Sequence, residues 1–158
     1  HIAFDDCTPY PVTHKKAEVS MKRTHAWAER SLAAHKLLAQ KISPYQALYG
    51  AVQGSVYQDL RTISAKTIST MDFDGMAIGG VSVGESKQEM KQVLLWTVPY
   101  LPEEKPRHLL GVGEIDDVFE LVEQGIDTFD CVTPTRLARM GHILTSSGIK
   151  HHTLEKKS

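Results

Sequence analysis

"ALYGAVQGSVYQDLRTISAKTISTMDFDGMAIGG", residues 47–80, runs from one apolar stretch through a helical one to a second apolar stretch. Residues 47–54 read as a short buried strand closing on Gly54. Val56, Leu60, Ile63, Thr67 and Met71 then fall at helical spacing across 56–71, and "DGMAIGG" (74–80) is strand-like again. A strand, an amphipathic helix and a second strand in this order make one βαβ unit, the building block of a parallel sheet.

The unit repeats downstream. "ESKQEMKQVLLWTV" (85–98) carries Met90, Val93, Leu94 and Val98 on one helical face, and "RHLLGVG" (107–113) is strand-like. Ile115, Val118, Phe119 and Val122 follow at i, i+3, i+4 and i+7, and "IDTFD" (126–130) closes the series. Upstream, the apolar "HIAF" (1–4) precedes a loop with two prolines. A helical stretch from about Lys15 to Leu38 has Val19, Ala26, Trp27, Leu32, Ala33 and Leu37 as candidate inward residues, and residues 39–47, with Pro44, form a break. Five short strands alternate with four helices, so the fold class is α/β. Either the strands form a small open sheet or they are part of a (β/α)₈ barrel, which needs roughly 250 residues when closed. The domain is expected over residues 1–145, with residues 146–158 as a tail without core periodicity.

With 158 residues, 41% hydrophobic and 23% charged, the composition suits one globular domain. Cys7 and Cys131 have similar local settings, which favours free thiols, a reducing compartment and a cytoplasmic location. No apolar run approaches the 18 residues of a membrane span, and no leader pattern is expected at the start. A net charge of −1 gives no overall attraction to nucleic acid but leaves room for a local basic patch. The eight histidines show no metal-ligand spacing.

The chemistry is expected at the strand ends. Asp5, Asp6 and Cys7, then Gln53 and Gly54, Gly79 and Gly80, Gly111 and Gly113, and Asp130 and Cys131 each close an apolar run. In parallel α/β folds the carboxyl ends of the strands form the ligand face, so these residues should converge. "AIGGVSVGE" lacks the Lys-Ser/Thr of a phosphate loop, and a turn exposing bare backbone N–H groups is the better reading. Gly113 before an acidic first turn reads as helix-start chemistry. Arg136 and Arg139 suit either a solvated surface or an anion clamp beside Asp130. Two aspartates on one face allow one to attack an electrophilic carbon while the other accepts hydrogen bonds from a ligand.

"FDDCTPYP", "YGAVQGSVYQDLR", "DFDGMAIGGVSVGE", "KPRHLLGVG" and "GIDTFDCVTPTRLARMG" resemble, in order and spacing, the motifs of the bacterial tRNA-guanine transglycosylases, the queuine tRNA-ribosyltransferases, from about Phe4 to Thr145. The resemblance implies a (β/α)₈ barrel of which this chain is a C-terminal part. It also implies exchange of the wobble guanine of tRNA for a deazaguanine, 7-aminomethyl-7-deazaguanine in bacteria, and a homodimer at full length. On that pattern Asp130 would be the nucleophile at the ribose C1′. Asp5 would accept from the purine, and Gln53 and the Gly80 N–H would donate to its carbonyl oxygen. Cys7, Gly79, Ser82, Val83 and Leu110 would line the pocket, and Arg136 and Arg139 would hold RNA phosphate at the anticodon loop. Cys7 with Val83 matches the bacterial subgroup, which favours the aminomethyl precursor over queuine.

The chain departs from the pattern in four places. No counterpart of the general acid/base aspartate or of the base-stacking aromatic precedes His1, and the zinc site of three cysteines and a histidine has none after Gly141. Leu110 stands where many members have Met, and Met140 where Asn is common. The expectation is therefore a fragment or truncated product, with a non-catalytic tRNA- or partner-binding relative, or an unrelated open-sheet nucleotide-binding domain, as the alternatives. Cofactors are expected to be absent from this chain, with one zinc ion implied by the resemblance for the full-length protein.

Overall fold

A computed structural model describes residues 1–41, 43–145 and 147–151. Its centre is a four-stranded parallel sheet in the order β1 (Tyr49–Val52), β2 (Gly75–Ile78), β3 (Arg107–Leu109) and β4 (Thr128–Phe129). Helices α2 (Gln58–Ser69), α3 (Lys87–Thr97) and α4 (Ile115–Glu123) provide the crossovers, and α1 (His14–Ala39) precedes β1. The α/β class and the βαβ order agree with the sequence reading. The apolar amino-terminal run does not add a full strand, since Ile2 makes only an isolated parallel bridge to Tyr49.

The core lies between the sheet and α2, α3 and α4. Val52, Met76, Ile78 and Leu109 from the strands pack with Ile68, Phe73, Val93, Leu94 and Leu121, all essentially without exposure. Fully burying each such side chain contributes about 1.5–3 kcal/mol. α3 starts on a reciprocal cap in which the Ser86 hydroxyl accepts from the Glu89 N–H (3.2 Å) and the Glu89 carboxylate accepts from the Ser86 N–H (2.8 Å). α4 starts with Asp116 and Asp117 at the positive end of its dipole.

Several expectations need correction. The buried stripe of α1 is Ala17, Ser20, Met21, Thr24 and Ala28. Of the residues expected inward, Val19, Ala26, Ala33 and Leu37 are exposed, Trp27 is half-buried, and only Leu32 packs against the core. Small side chains let α1 approach α2 closely, and the polar members of the stripe are satisfied: Asp6 N–H donates to Thr24 Oγ1 (2.9 Å) and Ser20 donates to Asp6 Oδ2 (2.9 Å). In α2, Ile63 faces solvent while Leu60, Arg61, Ser64, Ala65 and Ile68 are buried. The helix α4 is where its periodicity put it, but Ile115, Phe119 and Val122 are exposed and Asp117 and Leu121 are buried. No described element covers that apolar face.

Residues 133–151 also hold elements that periodicity did not reveal. α5 (Thr133–Arg139) has Pro134 in its first turn, and β5 (His142–Thr145) pairs antiparallel with β6 (Gly148–His151). The boundary expected at 145/146 thus falls within a hairpin, and residues 152–158 lie outside the described residues. The hairpin side chains are largely exposed, so no buried face imposed a period on them.

Candidate functional site

The sheet register builds the site. Val52 is paired with Ile78, Ile78 with Leu109, and Leu109 with Phe129. The next residue on each strand is Gln53, Gly79, Leu110 and Asp130, and the row is continued by Gly79 N–H to Val52 O (3.1 Å) and Leu110 N–H to Ile78 O (3.0 Å). Because strand side chains alternate between faces, these four residues share one face at the carboxyl end of the sheet. Three strand spacings separate Gln53 from Asp130, about 14 Å along the row.

Asp5 joins the row at the β1 end, where its Oδ2 accepts from Gln53 Nε2 at 2.5 Å. Its neighbour Asp6 turns the other way and accepts from Ser20 and from Arg23 Nη1 (2.6 Å) on α1. Only Asp5 of the pair therefore belongs to the site. A Cβ added at Gly79 would meet Gln53 Nε2 at 2.7 Å, Leu110 Cδ1 at 3.3 Å and Asp5 Oδ2 at 3.4 Å. Gly80, at φ +66°, has the Gln53 Oε1 at 2.5 Å from the same hypothetical atom. The turn after β2 thus demands glycine, as expected for backbone brought close to a ligand.

Cys7 faces the same cluster. The residue is exposed overall, yet partial burial of its sulfur, and next the Asp5 carboxylate, push the thiol up from its ordinary value. The Gln53 amide, the Arg61 charge and the Gly80 N–H pull it partway back. It is a protonated neighbour at neutral pH rather than a nucleophile.

Arg61 is the residue that motif reading passed over. It is wholly buried and pairs with no carboxylate among the described residues. Nε donates to Ser55 O (2.6 Å), Nη1 to Val52 O (3.2 Å) and Gly79 O (2.8 Å), and Nη2 to Gly80 O (3.0 Å). Burial pushes its pKa down to about 10, so it stays charged at neutral pH. One guanidinium fork therefore sets the carbonyls of both strand-end turns, at β1 and at β2. Its sequence signal is its position on the buried stripe with Leu60, Ser64, Ala65 and Ile68.

At the other end of the row Asp130 is exposed, and its Oδ1 accepts from Gly111 N–H (3.0 Å) and contacts His108 Nε2 (3.0 Å). Oδ2 has no hydrogen-bond partner among the described residues. Gly111 also brings Ser82 near, 3.4 Å from Ser82 Cβ to a Cβ built there. Ser82 and Arg136 line an adjoining cleft of about 470 Å³ with Gly111 and Cys131. Val83 donates its N–H to Glu85 Oε2 (3.0 Å), a second contact that the sequence reading did not assign. Arg139 lies exposed on α5, and no described contact brings it to Asp130. Among the described residues, no group of three His, Cys, Asp or Glu could hold a metal, and no helix is long and apolar enough to cross a membrane.

The sequence model of the family described as "Queuine tRNA-ribosyltransferase" matches residues 1–157. Proteins of that name from Aliivibrio fischeri (strain MJ11) and Aliivibrio salmonicida (strain LFI1238) are each 50% identical over 146 residues, 92% of this chain and 38% of theirs. The one from Vibrio parahaemolyticus serotype O3:K6 (strain RIMD 2210633) is 49% identical over the same spans. The chain thus covers 38% of the length of these relatives.

Proposed function

Since the chain belongs to the queuine tRNA-ribosyltransferase family, we propose that it carries the base-recognition and nucleophile segments of a tRNA-guanine transglycosylase. The whole enzyme would replace the wobble guanine of tRNA with 7-aminomethyl-7-deazaguanine. The observation that carries this reading is the register row. It has a half-buried, amide-bonded carboxylate at one end, and at the other a carboxylate with one oxygen held by N–H donors and the other without a hydrogen-bond partner among the described residues.

In this reading Asp130 Oδ2 bonds to the ribose C1′ as the C1′–N9 bond breaks, and the bonding pair leaves with the guanine. The departing base takes a proton from an acid that we assign to an earlier strand of a (β/α)₈ barrel. The incoming deazaguanine then attacks C1′ and frees Asp130, gives its N9 proton to the conjugate base of that acid, and restores the original anomeric configuration. Asp5 offers two acceptor oxygens to adjacent purine N–H groups. Gln53 and the Gly80 N–H donate to the purine carbonyl, and Cys7, Gly79, Ser82, Val83 and Leu110 shape the pocket. Arg136 and Arg139 hold anticodon-loop phosphate while the base leaves its stack. The cytoplasm and a full-length homodimer complete the proposal. Cys7 and Cys131 are the two cysteines of this sequence and belong to no group of potential metal ligands among the described residues.

Labelled-guanine exchange into tRNA by the protein as encoded tests this. Asp130→Ala is expected to lower exchange by at least about 10³-fold and to abolish a denaturation-resistant protein–RNA adduct. Wild-type exchange in that variant would remove Asp130 as nucleophile. Binding of tRNA without any exchange by the unaltered protein would select a non-catalytic relative instead.

A further inference from the structure

His108 is not part of any motif role assigned above, yet it touches the proposed nucleophile. The register row below the site reads Ala51, Ala77, His108 and Thr128. The imidazole lines a shallow hollow together with His1, Ile2, Gln46, Ala47, Tyr49 and Thr128. Both ring nitrogens are engaged with β4 or its end: Nδ1 lies 2.9 Å from Thr128 Oγ1 and Nε2 lies 3.0 Å from Asp130 Oδ1. A carboxylate can only accept, so Nε2 carries the hydrogen that Asp130 receives. In the neutral ring Nδ1 then accepts from the Thr128 hydroxyl.

The backbone gives Asp130 little support of its own. β4 pairs through two residues only, Thr128 and Phe129, and Asp130 lies just beyond them. The side chain of His108 extends that short ladder, because it ties Thr128 to Asp130 on the same face of the strand. The histidine side chain is 15% exposed and Asp130 is 58% exposed, so a shielded group steadies an accessible one.

We propose that His108 is a positioning residue that, with Gly111 N–H, anchors Oδ1 of Asp130 so that Oδ2 faces the ribose C1′. This rests on the reading of Asp130 as nucleophile. The geometry matters because displacing a reacting atom by about 1 Å can cost on the order of 100-fold in rate.

Two variants in the protein as encoded test the assignment. His108→Phe keeps the ring volume and removes the donor; His108→Gln keeps an N–H near the Nε2 position. Phe should slow adduct formation and kcat by about 10–100-fold with KM for tRNA and base changed less than about twofold, and Gln should recover most of the loss. The ¹⁵N signals of the ring should report the Nε2–H tautomer in the unaltered protein and lose that preference in Asp130→Ala. A Phe variant with wild-type kcat, or a Gln variant as slow as Phe, overturns the proposal, as does an Nδ1–H tautomer. Adduct formation by Asp130→Ala at the wild-type rate removes the nucleophile reading and the positioning role with it. Loss of the adduct in Asp130→Ala beside an unaffected His108→Phe removes the positioning role alone.

Discussion

The two ends of the Gln53–Asp130 row are built on opposite principles. At the β1 end, Gln53 is 3% exposed and Arg61 is fully buried; Gln53 donates to Asp5, and Arg61 donates to the carbonyls of Gly79 and Gly80. At the β4 end, Asp130 stands in the open on a strand paired over two residues, held through one oxygen. A group that reads a flat base gains from having its donors and acceptors fixed beforehand, since no ordering cost then remains at binding. A group that must meet a sugar carbon on an RNA backbone has to stay accessible. On the proposed roles, the fold concentrates its buried polar bonds at the base-reading end and leaves Asp130 Oδ2 without a hydrogen-bond partner among the described residues.

This contrast can be broken most strongly at Arg61. Arg61→Met removes the donors of four carbonyls and should cost about 3–5 kcal/mol in urea unfolding. Asp130→Asn should stay within about 0.5 kcal/mol by the same measurement, as exposed substitutions do. Equal losses in the two variants would erase the distinction. Asp5→Asn comes next. It replaces an acceptor with a donor facing the base, and should raise KM for the free base about 10–100-fold in the exchange assay, with much less effect on KM for tRNA.

The smallest effect concerns Cys7. Its folded pKa lies above the unfolded one, so the stability it contributes is complete below the unfolded value of about 8.5 and is lost as pH rises through the folded value. Alkylation of Cys7 should therefore have its midpoint above that of a free thiol. Asp5→Asn should bring the midpoint down, because the carboxylate is the second cause of the shift after burial. A midpoint indifferent to Asp5 would separate Cys7 from the recognition cluster.

Much of this was legible in the sequence because strand ends announce themselves. Gln53, Gly79 and Asp130 each close an apolar run, whereas Leu110 came from the resemblance and the common row only from the strand register. The face of α1 was not legible, because its inward stripe is made of alanine, serine and threonine, whose burial follows from close approach rather than from hydrophobicity. The apolar face of α4 was recognised but has no described neighbour to bury it. Arg61 and His108 were missed for a related reason. An arginine on a helix and a histidine next to another basic residue look like surface groups until the sheet shows which carbonyls and which carboxylate lie within reach.

The register row also governs which changes in chain length the site can absorb. Residues added to the loops after the strands alter the rim and leave Gln53, Gly79, Leu110 and Asp130 where they are. A single residue inserted within β1, β2 or β3 rotates its successor to the helix-facing side and removes one member of the row. Relatives that keep the chemistry should accordingly vary in their turns while holding constant the count of residues from each first strand pairing to its site residue, a spacing rule that homologous sequences can check directly.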